Sequence, residues 1–174
     1  MSANAPPVVN TVEQLLAHAQ EVEAEAQERY EDLAGQMETH NNPRVAKMFA
    51  AMAVIEKKHV DALCTLSKGL AIPDMNPSDF DWPDLEAPES VPIGKGHYRM
   101  TEHEALQLAL ECEERAWAFY AGVAAASPSQ EVKDLATRFA DEERQHMGLV
   151  RKWIDRLPPA KAAPVDLDEP VDQE

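Results

Sequence analysis

Two cysteines in 174 residues, Cys64 and Cys112, leave no basis for a disulfide scaffold or a CxxC metal site. Long apolar runs are missing too, since none approaches the ~20 residues of a membrane span. The first ten residues, MSANAPPVVN, have no basic stretch followed by an apolar core, so they do not read as a secretory signal. Positive charge is scarce. Lys and Arg total 16 against 32 Asp and Glu, for a formal net charge of -16. With no basic stripe, nucleic acid and anionic membranes are poor partners. The expectation is a soluble cytoplasmic protein, and this length suits one domain with a sizeable core.

What the chain does have is a pattern stated twice. Leu16, Ala19, Glu23, Ala26, Tyr30 and Leu33 recur ninety residues later as Leu106, Ala109, Glu113, Ala116, Tyr120 and Val123. Val45, Phe49, Met52, Glu56, His59, Leu63 and Leu66 recur eighty-seven residues later as Val132, Ala136, Phe139, Glu143, His146, Val150 and Trp153. Every row steps by three and four residues, so each is one face of an α-helix. The faces are apolar apart from Glu, or Glu and His. A glutamate in the middle of a core stripe is costly unless something compensates it.

Start and stop signals divide the chain. Thr11 and Gln14 form a capping box that opens a first helix running to about Thr39. Asn42 is a good N-cap and Pro43 a good first residue for a second helix, which reaches about Lys68 and stops near Gly69 and Pro73. Residues 71–100 are rich in Pro, Asp and Gly and have no period. Thr101 and Glu104 form another capping box for a third helix ending near Ala126. Ser127-Pro128 restarts the chain as a fourth helix that ends before Pro158-Pro159. The pattern predicts an all-α four-helix bundle over 11–157, made of two helical hairpins joined by the long crossover 71–100. A 28-residue helix is ~42 Å long, and thirty residues at up to ~3.3 Å each can return the chain along it. The third helix then runs parallel to the second. Residues 1–10 form a flexible N-terminus, and 158–174 an acidic tail expected to be disordered. Segments 74–90 and 162–174 hold six and five acids with no Lys or Arg, and both read as solvated.

The pseudo-twofold repeat gathers four glutamates and two histidines. Glu56 with His59, and Glu143 with His146, lie three apart on one helix face and can reach one ion each. Glu23 and Glu113 come singly from the other helix of each hairpin. Four carboxylates carry a charge of −4, which two divalent cations balance. Without metal, carboxylates so close and so buried must hold protons. Carboxylate-rich ligation with one imidazole per ion suits iron or manganese better than zinc.

These residues resemble the ferritin-like di-iron carboxylate proteins, whose signature is one Glu on each of two helices and Glu-x-x-His on each of the others. Within that superfamily the chain is most similar to rubrerythrins, through the two Glu-x-x-Ala-x-x-x-Tyr units at Glu23 and Glu113 and the two Glu-x-x-His units. The resemblance covers roughly 11–157. It implies a ferritin-like bundle holding two iron ions, with manganese or a mixed pair as alternatives, on Glu23, Glu56, His59, Glu113, Glu143 and His146. Tyr30 and Tyr120 would order ligand carboxylates of the opposite hairpin. It also implies oxidative-stress chemistry, namely reduction of hydrogen peroxide or dioxygen with electrons from an external donor protein, in a homodimer.

Four departures bear on function. Rubrerythrins typically carry a rubredoxin domain with paired CxxC motifs, and no such motif is present here. Ala116 stands where rubrerythrins place an extra carboxylate. The chain ends in an acidic tail where cage-forming ferritins have a fifth helix, which argues against a storage cage. Lys57 stands where bacterioferritins have their haem-ligating methionine, so haem is not implied. The alternatives are a ferroxidase or iron-handling protein with little reductive turnover, and a metal-free helical interaction module. Glu111, Glu114 and Glu142 point off the stripes and read as surface, as do His18, His40, His97 and His103. Cys64 and Cys112 read as small core fillers, Met48, Met52 and Met147 as core packing, and Trp117 as a residue that could serve a dimer face.

Overall fold

Thr11 opens helix α1 (Val12–Thr39) by accepting a hydrogen bond from the Gln14 backbone N–H at 3.2 Å, while Gln14 Oε1 accepts from Thr11 N–H at 3.3 Å. This capping box is the one its sequence specifies. The structure, a computed structural model, describes residues 8–80, 82 and 86–158. Residues 1–7 of the expected flexible terminus and 159–174 of the expected acidic tail lie outside the described residues, whereas Val9, within that terminus, is buried. Asn41, with φ 58°, closes α1 in the left-handed region that asparagine tolerates. Helix α2 (Pro43–Leu66) follows at once with proline at its first position. The Asn42 side chain does not cap it. Its Nδ2 donates instead to the carbonyls of Met100 (2.8 Å) and Tyr98 (3.3 Å), tying the first turn to the far end of the crossover.

Helix α3 (Glu102–Ala126) begins at the expected Thr101–Glu104 capping box, with Glu104 Oε2 accepting from Thr101 N–H at 2.7 Å. Helix α4 (Gln130–Arg156) is capped by Ser129. Ser127 in the intervening turn is buried and donates to the Val9 carbonyl at 2.7 Å, pinning the start of the chain over the second hairpin.

The α1–α2 and α3–α4 hairpins pack together as a four-helix bundle. Its interior has two apolar levels. One collects Tyr30, Leu33 and Met37 of α1, Val45, Phe49 and Met52 of α2, Leu106 and Ala109 of α3, and Met147 and Val150 of α4. The other collects Leu15, Leu16 and Ala19 of α1, Leu63 of α2, Phe119, Tyr120 and Val123 of α3, and Val132, Ala136 and Phe139 of α4. On every helix the buried glutamate falls at the junction: Glu23, Glu56, Glu113 and Glu143 each separate residues of one level from residues of the other. Burying each large apolar side chain contributes about 1.5–3 kcal/mol, so the two levels stabilise the bundle on either side of a polar layer. Helices α2 and α3 traverse the levels in the same order and are therefore parallel.

Among its described residues the crossover makes one 3₁₀ turn at Pro77–Asp79 and is otherwise irregular. It is not the solvated strap its composition suggests. Phe80, Ala87, Glu89, Ser90, Val91 and Met100 are buried, Glu89 with 1% of its surface exposed. A run with no hydrophobic period gives no sign of which residues turn inward.

Candidate metal centre

The polar layer brings together all six side chains that the sequence marks as ligand candidates. Glu23, Glu56 and His59 offer ligand atoms that all lie within 4.8 Å of one another, and Glu113, Glu143 and His146 do the same. The four glutamates are buried and the histidines half-buried. In the first set, His59 Nδ1 lies 3.1 Å from Glu23 Oε2 and 2.9 Å from Glu56 Oε2. Only the Glu23 contact has hydrogen-bond geometry, so Glu56 Oε2 is left without a partner. In the second set, His146 Nδ1 bonds Glu143 Oε2 at 3.0 Å, and Glu113 Oε2, 3.4 Å away, is left without one. The two imidazoles face each other, with ring centroids 4.5 Å apart and planes 3° from parallel.

Electrostatics expresses the cost of this gathering. Burial pushes the Glu23 carboxyl up, against the opposing hydrogen bond from His59, to about 8. Burial likewise raises Glu113. Burial would lower both histidines, yet bonding to the glutamates outweighs it and brings His59 to about 10 and His146 to about 11. The layer thus offsets its negative charge with protons on carboxyls and with imidazolium cations. Two imidazoliums stacked at 4.5 Å repel each other, whereas two neutral imidazoles would not.

A seventh group was not legible in the sequence. Glu89 of the crossover enters the same layer, and both its oxygens are buried with no hydrogen-bond partner among the described residues. One of its oxygens lies within 4.8 Å of ligand atoms of Glu23 and Glu143, and the same holds with Glu56 and Glu113. Burial, then the charges of the four glutamates, holds its carboxyl well above the usual range. The resemblance left a carboxylate missing at Ala116, and the structure puts one at the centre from another part of the chain. The only signal for it was the length of the crossover, since a thirty-residue loop in a small domain needs a reason.

Tyr30 and Tyr120 are buried beside the layer. The Tyr30 phenol feels the charges of Cys112, Glu113, Glu56 and Glu89. Tyr120 feels those of Glu23, Glu143 and Glu89. Burial holds both phenols well above their usual range, so they stay protonated donors. A cavity of ≈ 380 Å³ reaches the histidine side of the layer and is lined by Glu23, His59, Tyr120, Glu143, His146 and Arg138 among others.

Two readings away from the centre need correction. His18 is buried, not at the surface. Its Nδ1 lies 2.8 Å from the Gln14 carbonyl, and its ring packs edge-on against Phe80 and Trp82 and stacked on Phe119. The crossover supplies Phe80 and Trp82, which is why the helix pattern alone could not place it. Cys64 is exposed, while Cys112 is buried as expected. Glu111, Glu114 and Glu142 are exposed. Among the described residues no helix is long and apolar enough to cross a membrane.

The residues fit a pair of metal ions. Carboxylate oxygens without partners converge on a common interior with two imidazole nitrogens, a donor set for hard or borderline divalent cations. The family model described as Rubrerythrin matches residues 14–91. An uncharacterized conserved protein from Magnetospirillum magnetotacticum has a solved structure that is 36% identical, with a TM-score of 0.65 over 88% of this chain and 99% of that one. A hypothetical protein from Pyrococcus furiosus, 24% identical with a TM-score of 0.50 over 83% of this chain and 89% of that one, shares the fold. No curated protein matches the chain.

Proposed function

The chain belongs to the rubrerythrin family, and on that footing we propose that it is a di-iron oxidoreductase reducing hydrogen peroxide or dioxygen with electrons from a separate donor protein. The observation that carries the reading is the pair of buried Glu–Glu–His groups facing each other across the bundle. Glu23, Glu56 and His59 would hold one ion, and Glu113, Glu143 and His146 the other, through Nδ1 of each histidine. A bound iron pair supplies two-electron chemistry toward an O–O bond. The protein's own part is positional. His59 and His146 are fixed by the glutamates beside them, and the apolar levels above and below exclude water. The cavity on the histidine side gives a small oxidant a way in, with the Tyr120 hydroxyl as a donor along it. A cytoplasmic homodimer completes the proposal.

A second reading, iron binding with ferroxidase activity and little reductive turnover, is favoured by one observation. Ala116 stands on α3 where the resemblance expects an extra carboxylate three residues after Glu113. Elemental analysis of protein purified without added metal or chelator tests the centre, with close to two iron per chain expected. Steady-state peroxide consumption with an added electron donor then separates the readings. Sustained turnover supports the oxidoreductase, while one round of iron oxidation followed by a halt supports iron handling. Absence of metal, with no anaerobic uptake of ferrous iron, would refute both.

A further inference from the structure

We infer that Glu89 is a seventh protein ligand of the metal pair, a carboxylate delivered by the crossover to bridge the two ion positions. The inference deepens the metal reading above and rests on it. Glu89 makes two groups of three, one with Glu23 and Glu143 and one with Glu56 and Glu113. Each group takes one glutamate from each hairpin, so Glu89 lies across the seam where the two halves of the centre meet. A carboxylate there can give one oxygen to each ion.

Its burial needs a purpose. Glu89 is 1% exposed, and neither oxygen has a hydrogen-bond partner among the described residues. A buried carboxylate in that condition is strongly unfavourable. Protonation would cancel the charge yet still leave the oxygens unpartnered, whereas a cation satisfies both.

The backbone around Glu89 is also built to hold it there. Arg115, two residues after Glu113, donates from Nε to the Pro88 carbonyl at 2.8 Å and from Nη2 to the Ser90 carbonyl at 2.7 Å. One guanidinium thus grips the peptides on both sides of Glu89. From α1, Glu25 accepts from the Ala87 N–H at 3.2 Å, and Arg29 pairs at 3.2 Å with Glu86, which accepts from the Ile93 N–H at 3.0 Å. Three side chains on the two helices that carry the single glutamates fasten this segment, and none of them touches the Glu89 carboxylate. The side chain is held in place for something other than protein contacts, as preorganised metal ligands are.

The experiment is anaerobic titration of the purified full chain with Co(II), following its visible absorption, for wild type, Glu89→Gln and the exposed control Glu111→Gln. Wild type and the control should take up two ions per chain. Glu89→Gln should bind at least one ion ~10-fold or more weakly and show an altered cobalt spectrum, because a ligand is lost. A crystal structure of the Mn(II)-loaded wild type decides the matter even if Glu89→Gln misfolds. Glu89 oxygens at bonding distance, about 2.0–2.2 Å, support the inference. Oxygens well beyond that distance, or a Glu89→Gln variant matching wild type in affinity and spectrum, overturn it while leaving the six-residue centre intact. A wild type that takes up no Co(II) overturns the metal reading and this inference together.

Discussion

Loading the centre with metal should release protons, and the number can be worked from its electrostatics. His59 and His146, at about 10 and about 11, each carry one proton at pH 7 in the metal-free protein. Glu23, at about 8, carries roughly nine-tenths of one. A metal ion binds neutral imidazole and carboxylate, so all of these must leave. The total is about two to three protons per pair of ions, since the Glu23 proton weakens the hold on the His59 proton, before any from Glu89 and Glu113, whose carboxyls are also raised. The apparent binding constant for the pair should therefore rise at least about a hundredfold per pH unit near neutrality. Above pH 8 the slope should ease toward two protons as Glu23 ionises. The sign is fixed: affinity is lost as pH falls, because the protons compete with metal. Anaerobic titration calorimetry with Mn(II), run between pH 6 and 8 in buffers of different ionisation heat, measures the release directly. Fewer than one proton per two ions would refute the electrostatic account of the layer. The same shifts give a stability trend. Glu23 and both histidines have folded pKa values above their unfolded ones, so their stabilising contribution is present at low pH. It is lost as pH rises through about 8 for Glu23 and about 10 for His59, so between pH 6 and 9 the metal-free protein should melt at progressively lower temperature.

Four further outcomes follow from particular side chains. The double variant Glu56→Ala/Glu143→Ala should lose both ions together while keeping its helical circular dichroism, as read by elemental analysis. Arg115→Ala removes two charge-assisted hydrogen bonds to backbone and should cost about 1.5–3 kcal/mol, with faster amide exchange around residues 86–93 by mass spectrometry. Thr101→Ala removes the α3 capping box and should cost about 1 kcal/mol in a denaturant titration. Glu89→Met replaces a buried, unpartnered carboxyl with an apolar chain of similar length, so it should stabilise the metal-free protein by about 1–3 kcal/mol, a rise in melting temperature that added Mn(II) should reduce or reverse relative to wild type.

The helices and the repeat were legible in the sequence for definite reasons. Thr11–Gln14 and Thr101–Glu104 are local hydrogen-bond devices whose residues are adjacent in the chain, so reading them needs no tertiary information. The six-residue centre was legible because helical periodicity turns a spacing in sequence into a direction in space. Glu89 and His18 escaped for the converse reason. Glu89 lies in a segment without a period, and its inward turn is imposed by Arg115, Glu25 and Arg29 from two other helices. His18 is enclosed by Phe80 and Trp82 from the same segment. Cys64 follows the buried Leu63 by one residue, about 100° round the helix from the core stripe, and so faces solvent.

The neighbourhood of Cys112 bears on how long such a centre could last. The oxidant proposed for it would react within one residue of a sulfur atom, the kind of group that peroxide converts to sulfenic acid. Only the thiolate is attacked readily. Burial pushes the Cys112 thiol up to about 11, even with Arg115 Nη2 3.4 Å from the sulfur. At neutral pH about one molecule in ten thousand is then ionised, against a few per cent for an ordinary cysteine. The packing that completes the bundle also keeps the thiol beside the centre chemically quiet, which would give the protein a built-in tolerance of the oxidant proposed for it.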